Sequence, residues 1–350
     1  MKIIHVTAST QYDVKIGSGL LTQLGAEVAN VCKVGTAAII SDSNVWPLHG
    51  EAAANALQSA GYRVVHYVFP AGEESKNGDN YLAILNFLAE NQITRADCIV
   101  ALGGGVVGDI AGFAAATYLR GIAYIQVPTT LLAAVDSSIG GKTAIDLKAG
   151  KNLAGAFYQP RLVLCDTDLL QTLPKEIFRD GCAEVIKYGV LYDATLFSDL
   201  MACGLDFDRE AVIARCVELK RDVVAQDEFD TGERQKLNLG HTIGHAVEAL
   251  SNFNISHGQA VAIGMAVVTA ASVKYGICSS NTLAQILAIL EKFHLPNKAN
   301  HSAQMLFDTA LSDKKRLGAS VTLVVPEKIG SCILRPTPVE ELKDFIEAGL

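Results

Sequence analysis

His241 and His245 stand four residues apart in the stretch NLGHTIGHAVE, residues 238–248, and His257 follows in SHGQAVA. Four residues turn a helix by about 400°, so both imidazoles leave from one face. A carboxylate on a separate apolar stretch, Glu184 in CAEVIKYG, completes a set of nitrogen and oxygen donors. Such a set is what a catalytic Zn²⁺ or similar divalent ion uses when one position stays open for substrate. The histidine pair alone would equally suit hydrogen-bonded partners at a helix–helix contact; His257 and Glu184 tip the reading toward metal.

A second kind of chemistry lies upstream. ALGGGVVGD, residues 101–109, follows an apolar strand pattern and opens a helical one. Glycines there let backbone N–H groups approach a phosphate at the positive end of the helix. The spacing departs from GxGxxG, so tight packing competes as an explanation. Asp42 and Asn44 follow another strand, where a carboxylate can hold ribose hydroxyls. Glu73 and Lys76 lie in the next long loop, and Thr129 and Thr130 follow a further strand. Open α/β sheets bind ligands at the carboxyl ends of their strands, so these positions together point to a dinucleotide. Each residue alone would serve as a helix cap. Lys142 in GGKT and Lys151 in GKN suit a phosphate or carboxylate. Lys187, Lys220, Arg234 and Lys314–Lys315 add cations beside apolar stretches, where a solvated face is the alternative. A metal, a dinucleotide and these cations together imply hydride chemistry on a polyhydroxylated, phosphorylated, acidic substrate.

The elements that must position these residues change character along the chain. With 350 residues, the chain is long enough for two domains. Short apolar runs at 37–41, 63–69, 97–102, 123–127 and 162–166 alternate with helical patterns at 47–60, 77–91 and 106–117. That alternation predicts a Rossmann-like α/β domain, a mainly parallel sheet covered by helices. Residues 138–155, rich in Gly and Lys, are too irregular for a helix and suit a loop or hairpin facing a site. From Pro174 onward helices dominate, at about 175–190, 208–226, 236–250, 258–276 and 281–293, with a strand pair near 320–334 before a last helix. The expected division is an α/β domain over 1–172 and a mainly α-helical domain over 173–350.

Composition narrows the partners. A net charge of −8 without a cluster of Lys and Arg argues against nucleic acid. The longest apolar run, about 260–273, is too short to cross a bilayer. Eight cysteines without a CxxC pair read as reduced thiols, and no signal peptide is visible at MKIIHVTAS, so a cytoplasmic protein is expected.

The segments ALGGGVVGDIAGFAAATYLRG, QVPTTLLAAVDSSIGGKTAID, GKNLAGAFYQP, CAEVIKYG and LNLGHTIGHAVE, in that order, resemble the 3-dehydroquinate synthase family, and the similarity runs along nearly the whole chain. The resemblance implies conversion of 3-deoxy-D-arabino-heptulosonate 7-phosphate to 3-dehydroquinate and orthophosphate, in the shikimate pathway to chorismate and the aromatic amino acids. It implies NAD, oxidising and then re-reducing the substrate within one turnover, and one divalent metal, Zn²⁺ or Co²⁺. Between the two hydride transfers phosphate is eliminated; afterwards the ring opens and an intramolecular aldol closes the carbocycle. By this resemblance Glu184, His241 and His257 are metal ligands, and His245 touches substrate or relays a proton. Asp136 and Asn238 bind substrate hydroxyls, Lys142, Asn152 and Arg234 hold phosphate, and Lys187 and Lys220 lie near the carboxylate and ring oxygens. One of Lys314 and Lys315 faces the substrate. Arg120, in YLRG, matches a residue that the family supplies from a neighbouring subunit, which implies a homodimer. Asp42, Asn44, Glu73, Lys76, Gly105, Val106, Val107, Gly108, Asp109, Thr129, Thr130 and Lys151 match NAD contacts, with Lys142 beside them.

Four positions depart from the commonest family pattern: Ala71 for Asp, Asp146 for Asn, Cys182 for Leu and Gln259 for Glu. None removes an expected ligand. Two other functions compete with this one, another sugar phosphate cyclase and a metal-dependent polyol dehydrogenase. A non-catalytic dinucleotide-binding protein would need neither the metal ligands nor the cations.

Overall fold

The computed structural model describes residues 1–252, 254–314 and 319–350, and of residues 312–314 only the backbone. Contacts divide the chain into two compact units. The first is Met1–Pro174 with Arg209–Phe229, and the second is Lys175–Asp208 with Asp230–Leu350.

The first unit is built on a seven-stranded sheet in the order β1-β2-β9-β6-β5-β3-β4. Its strands are β1 (Lys2–Val6), β2 (Tyr12–Gly17), β3 (Thr36–Asp42), β4 (Arg63–Phe69), β5 (Cys98–Gly103), β6 (Ala123–Pro128) and, after a separate two-stranded hairpin, β9 (Leu162–Asp166). Only the β1–β2 pair is antiparallel; every other pair is parallel. β5 is buried at every residue because apolar clusters cover both its faces, and β9 is buried throughout as well, which is why both read as unbroken apolar runs. One cluster joins Leu24, Val28 and Leu57 to Ile39, Val100 and Ile125; the other joins Ile84, Leu88, Ile110 and Ala114 to Ile40, Ile99 and Tyr124. β2 alternates Tyr12, Val14 and Ile16 inward, a strand the sequence reading left out. The hairpin is β7 (Lys142–Leu147) with β8 (Gly150–Phe157), in the segment expected to be a loop or hairpin.

The helix Arg209–Gln226 corrects the expected domain division. It falls inside the helical half of the sequence, yet it packs on β1, β2 and the turn Ala133–Ser137 of the first unit. Its own pattern is helical and carries no signal of which unit it joins.

The second unit is mainly helical. The helices Lys175–Tyr192, His241–Leu250 and His257–Lys274 pack together, and the antiparallel ribbon β10 (Ser320–Lys328) with β11 (Ser331–Pro338) lies against two of them. Helices Ala194–Cys203 and Ala303–Lys314 were not anticipated; both fill stretches between expected elements. None of the eight cysteines forms a disulfide, and six of them are buried. Among the described residues no helix is long and apolar enough to cross a membrane.

Candidate active site

In the second unit, three helices deliver the donor set. Glu184 sits mid-way along Lys175–Tyr192, His241 opens one helix and His257 opens another. Glycines allow this approach. Gly240, with φ of 80°, sets the left-handed entry to the His241 helix, and a Cβ there would come within 2.6 Å of the Val261 carbonyl oxygen. On the partner helix a Cβ at Gly264 would overlap the carbonyl of Gly240. Backbones this close bring the imidazole rings of His241 and His257 to 5.3 Å between centroids.

The donor atoms of Glu184, His241 and His257 lie within 4.8 Å of one another. Glu184 Oε1 is 3.5 Å from His241 Nε2 and 3.4 Å from His257 Nε2. His241 Nδ1 donates to the Leu239 carbonyl at 3.1 Å, which fixes the proton on that nitrogen and turns the Nε2 lone pair toward Glu184. Burial and the nearby Lys187 ammonium drive the His241 pKa down to about 3, so it stays neutral, as a ligand must. His257 goes the other way. Burial disfavours its charge, but Glu184 and Glu248 outweigh that and carry its pKa up to about 10. Glu184 is also ion-paired to Lys187, one turn along the same helix, and both are almost wholly buried. A buried carboxylate converging with two imidazole nitrogens fits a divalent cation of the Zn²⁺ or Co²⁺ type.

Around these donors stand residues that sequence reasoning passed over. Glu248 Oε2 is 3.7 Å from His257 Nδ1. Its position, three residues after His245 and seven after His241, marked it as part of the same helical face. Asp180, one turn before Glu184, accepts from the Ser256 hydroxyl and from the Gln259 N–H at 3.0 Å, tying the start of the His257 helix to the Glu184 helix. Gln259 completes the capping box, its side chain accepting from the Ser256 N–H at 3.3 Å. Gln259 thus holds the start of the helix that carries His257.

His245 is on the face of His241, its ring 5.5 Å away between centroids. Arg234 is fully buried and Asn238 exposed, both on the short helix Glu233–Asn238 that leads into His241. Lys314 is the last residue of the helix Ala303–Lys314, with its side chain outside the described residues; Lys315 lies outside them altogether.

The other expected residues belong to the first unit. Gly103 ends β5, and Gly105 to Asp109 form the first turn and more of the helix Gly105–Thr117, whose N-terminus no side chain caps among the described residues. Packing demands some of these glycines: a Cβ on Gly108 would sit 2.6 Å from Gln126 Oε1. Close packing under the helix accounts for Gly108, and no side chain caps the start of that helix among the described residues. Thr129, buried, follows β6, and Thr130 caps the next turn by accepting from the Ala133 N–H at 3.1 Å. Asp42 accepts from the N–H groups of Asn44 and Val45 at 2.8 and 3.0 Å, so it is a cap as well as a candidate ribose ligand. Lys76 pairs with Asp109 at 2.6 Å, and Lys151 with Glu73 at 3.5 Å. Burial weakens the Lys76 charge, but Asp109 and Glu73 more than restore it, and its pKa rises. Asp109 is pushed up by burial, with Lys76 opposing.

Lys220, on the helix that the sequence reading assigned to the other half, ion-pairs with Asp136 and donates to its carbonyl at 2.7 Å. Lys142 is exposed at the start of β7, and Arg120 is exposed with a left-handed backbone, φ 67°.

Comparison with known proteins decides the family. Profiles described as 3-dehydroquinate synthase N-terminal and C-terminal match residues 66–180 and 181–316. The chain belongs to the 3-dehydroquinate synthase family. A 3-dehydroquinate synthase of Enterococcus faecalis is 42% identical, with both chains covered completely. Among solved structures, 2-deoxy-scyllo-inosose synthase, complexed with carbaglucose-6-phosphate, NAD⁺ and Co²⁺, superposes with a TM-score of 0.88 at 26% identity, covering both chains fully. The 2-epi-5-epi-valiolone synthase of Streptomyces hygroscopicus, with NAD⁺ and Zn²⁺ bound, gives 0.88 at 25% identity over 98% of this chain and 97% of that one. The synthase family thus shares its fold with cyclases of other sugar phosphates.

Proposed function

We propose that this chain is a 3-dehydroquinate synthase, forming 3-dehydroquinate and orthophosphate from 3-deoxy-D-arabino-heptulosonate 7-phosphate. The observation that carries the reading is the convergence of the donor atoms of Glu184, His241 and His257 to within 4.8 Å of one another, in a chain aligned end to end with synthases of that name. When bound, NAD supplies a hydride acceptor that is restored each turnover, and a Zn²⁺ or Co²⁺ ion supplies Lewis acidity.

The protein's own residues bind, orient and move protons. Arg234, buried and charged, holds the substrate phosphate with Lys142 and Asn152. Lys187 and Lys220 face the carboxylate and ring oxygens, while Asp136 and Asn238 hold hydroxyls. His245 relays a proton beside the ligand face. Asp42, Asn44, Glu73, Lys76, Gly105 to Asp109, Thr129, Thr130 and Lys151 hold NAD. Much of the acceleration comes from fixing one substrate conformer so that its phosphate assists proton removal. A homodimer with Arg120 reaching a neighbouring site, and a cytoplasmic location consistent with cysteines that form no disulfide, belong to the same reading.

The solved cyclases favour one alternative, closure of a different sugar phosphate on the same scaffold. A substrate panel tests this. Carbocycle formation from the heptulosonate phosphate, with sedoheptulose 7-phosphate and glucose 6-phosphate left unchanged, supports the synthase; the reverse pattern overturns it. Net NADH accumulation with a polyol would instead mark a dehydrogenase.

A further inference from the structure

Asp146 lies at the irregular step of the β7–β8 hairpin, where the register shifts between Ile145 and Leu147. Three hydrogen bonds close a ring around it. The Asp146 N–H donates to the Lys76 carbonyl at 2.7 Å. The Asn152 N–H donates to Asp146 Oδ1 at 2.8 Å. The Lys76 ammonium donates to Asn152 Oδ1 at 2.5 Å. Asn152 holds a left-handed backbone, φ 57°, a conformation that costs energy for a side-chain-bearing residue unless its surroundings fix it. The Asp146 carboxylate supplies that fixing, because it captures the N–H that the left-handed turn directs away from the β7–β8 ladder.

We propose that Asp146 is a positioning residue: it locks Asn152 onto Lys76 and so presents a substrate-side amide and a cofactor-side ammonium as one unit. The inference rests on the assignment of Asn152 to phosphate and of Lys76 to NAD given above. Its consequence is coupling. With Asp146 in place, NAD bound at Lys76 holds Asn152 ready for the substrate phosphate, and bound substrate holds Lys76 ready for NAD, to the same degree in each direction. A bulge residue is a common place for a fold to re-aim a neighbouring side chain.

The test is a double-mutant cycle on the metal-loaded enzyme, using Asp146→Ala and Asn152→Gly. Glycine at 152 keeps the left-handed backbone and removes the amide. The readouts are KM for the heptulosonate phosphate, kcat, and the NAD⁺ dissociation constant. Asp146→Ala is expected to raise KM about tenfold, the loss of one hydrogen bond's orientation, with a smaller change in kcat. In the Asn152→Gly background the same substitution should change KM less than twofold, because nothing remains for Asp146 to position. Asp146→Asn, which keeps an acceptor oxygen, should restore KM to near the wild-type value. Additive effects of Asp146→Ala and Asn152→Gly would overturn the proposal. If Asp146→Ala does not fold, Asp146→Ser takes its place in the cycle. Asn152→Gly and Lys76→Ala that leave substrate and NAD⁺ affinities unchanged would instead overturn the underlying assignment, which separates the two failures.

Discussion

Gly264 lies so close to Gly240 that a methyl group on it would overlap the Gly240 carbonyl, and this contact sets how near the helix carrying His241 comes to the helix carrying His257. Two glycines from different helices thus fix the separation of the imidazoles of His241 and His257, the proposed metal ligands.

Gly264→Ala should therefore damage the metal site from a distance. Forcing the helices apart costs about 1–3 kcal/mol of overpacking. The expected result is lower stability by chemical denaturation together with weaker metal binding in competition with a chelator. Wild-type metal affinity in a folded Gly264→Ala protein would show that the glycine contact does not set the ligand geometry.

Metal affinity should depend on pH through His257. Its pKa, raised to about 10 by Glu184 and Glu248 against the cost of burial, means the metal must displace a proton at neutral pH. His241, neutral above about 3, releases none. Affinity should rise about tenfold per pH unit between roughly pH 6 and 8, with about one proton released on binding. The sign for the metal-free fold is opposite: the charged His257 stabilises below its unfolded pKa, and that contribution fades as pH climbs toward 10. Calorimetry in buffers of different ionisation enthalpy reads the proton count. A pH-independent affinity over this window would contradict the charged state of His257.

Arg234→Ala should separate the two ligands. A fully buried guanidinium is expected to contribute about 2–5 kcal/mol to binding a phosphorylated substrate. KM for the heptulosonate phosphate should rise steeply while NAD⁺ affinity stays nearly intact. An unchanged KM would remove Arg234 from the phosphate site.

Arg120, exposed and left-handed, tests subunit sharing. If Arg120 completes a neighbouring subunit's site as proposed, an Arg120→Ala chain mixed with a His241→Ala chain should recover part of the activity that each lacks, because one site of a mixed dimer would then have both residues intact. No recovery in verified mixed dimers would place Arg120 outside a shared site.

The shared face of His241 and His245 was legible in sequence because helical spacing is rigid, and the same arithmetic reaches Glu248 and Asp180, which were overlooked; that Glu184 and His257 converge there from two other helices is a tertiary fact that spacing does not carry. The parallel sheet was legible because strands buried on both faces, such as β5 and β9, leave unbroken apolar runs. Lys220 was placed in the wrong half because a helical pattern says nothing about which sheet or bundle it packs against, and its partner Asp136 is 84 residues away. The hairpin bearing Lys142 and Asn152 stayed ambiguous because β8 has no buried face to impose alternation. Asp146 looked like a simple departure from a family pattern; its hydrogen bonds are long-range or turn-specific and leave no periodic trace.

The most direct measurement is orthophosphate release from 3-deoxy-D-arabino-heptulosonate 7-phosphate with catalytic NAD⁺, before and after chelation and again after Zn²⁺ or Co²⁺ is restored. Release that follows the metal, with matching 3-dehydroquinate and no net NADH, is the predicted result. A folded, metal-loaded protein that releases no phosphate from this substrate would contradict the account.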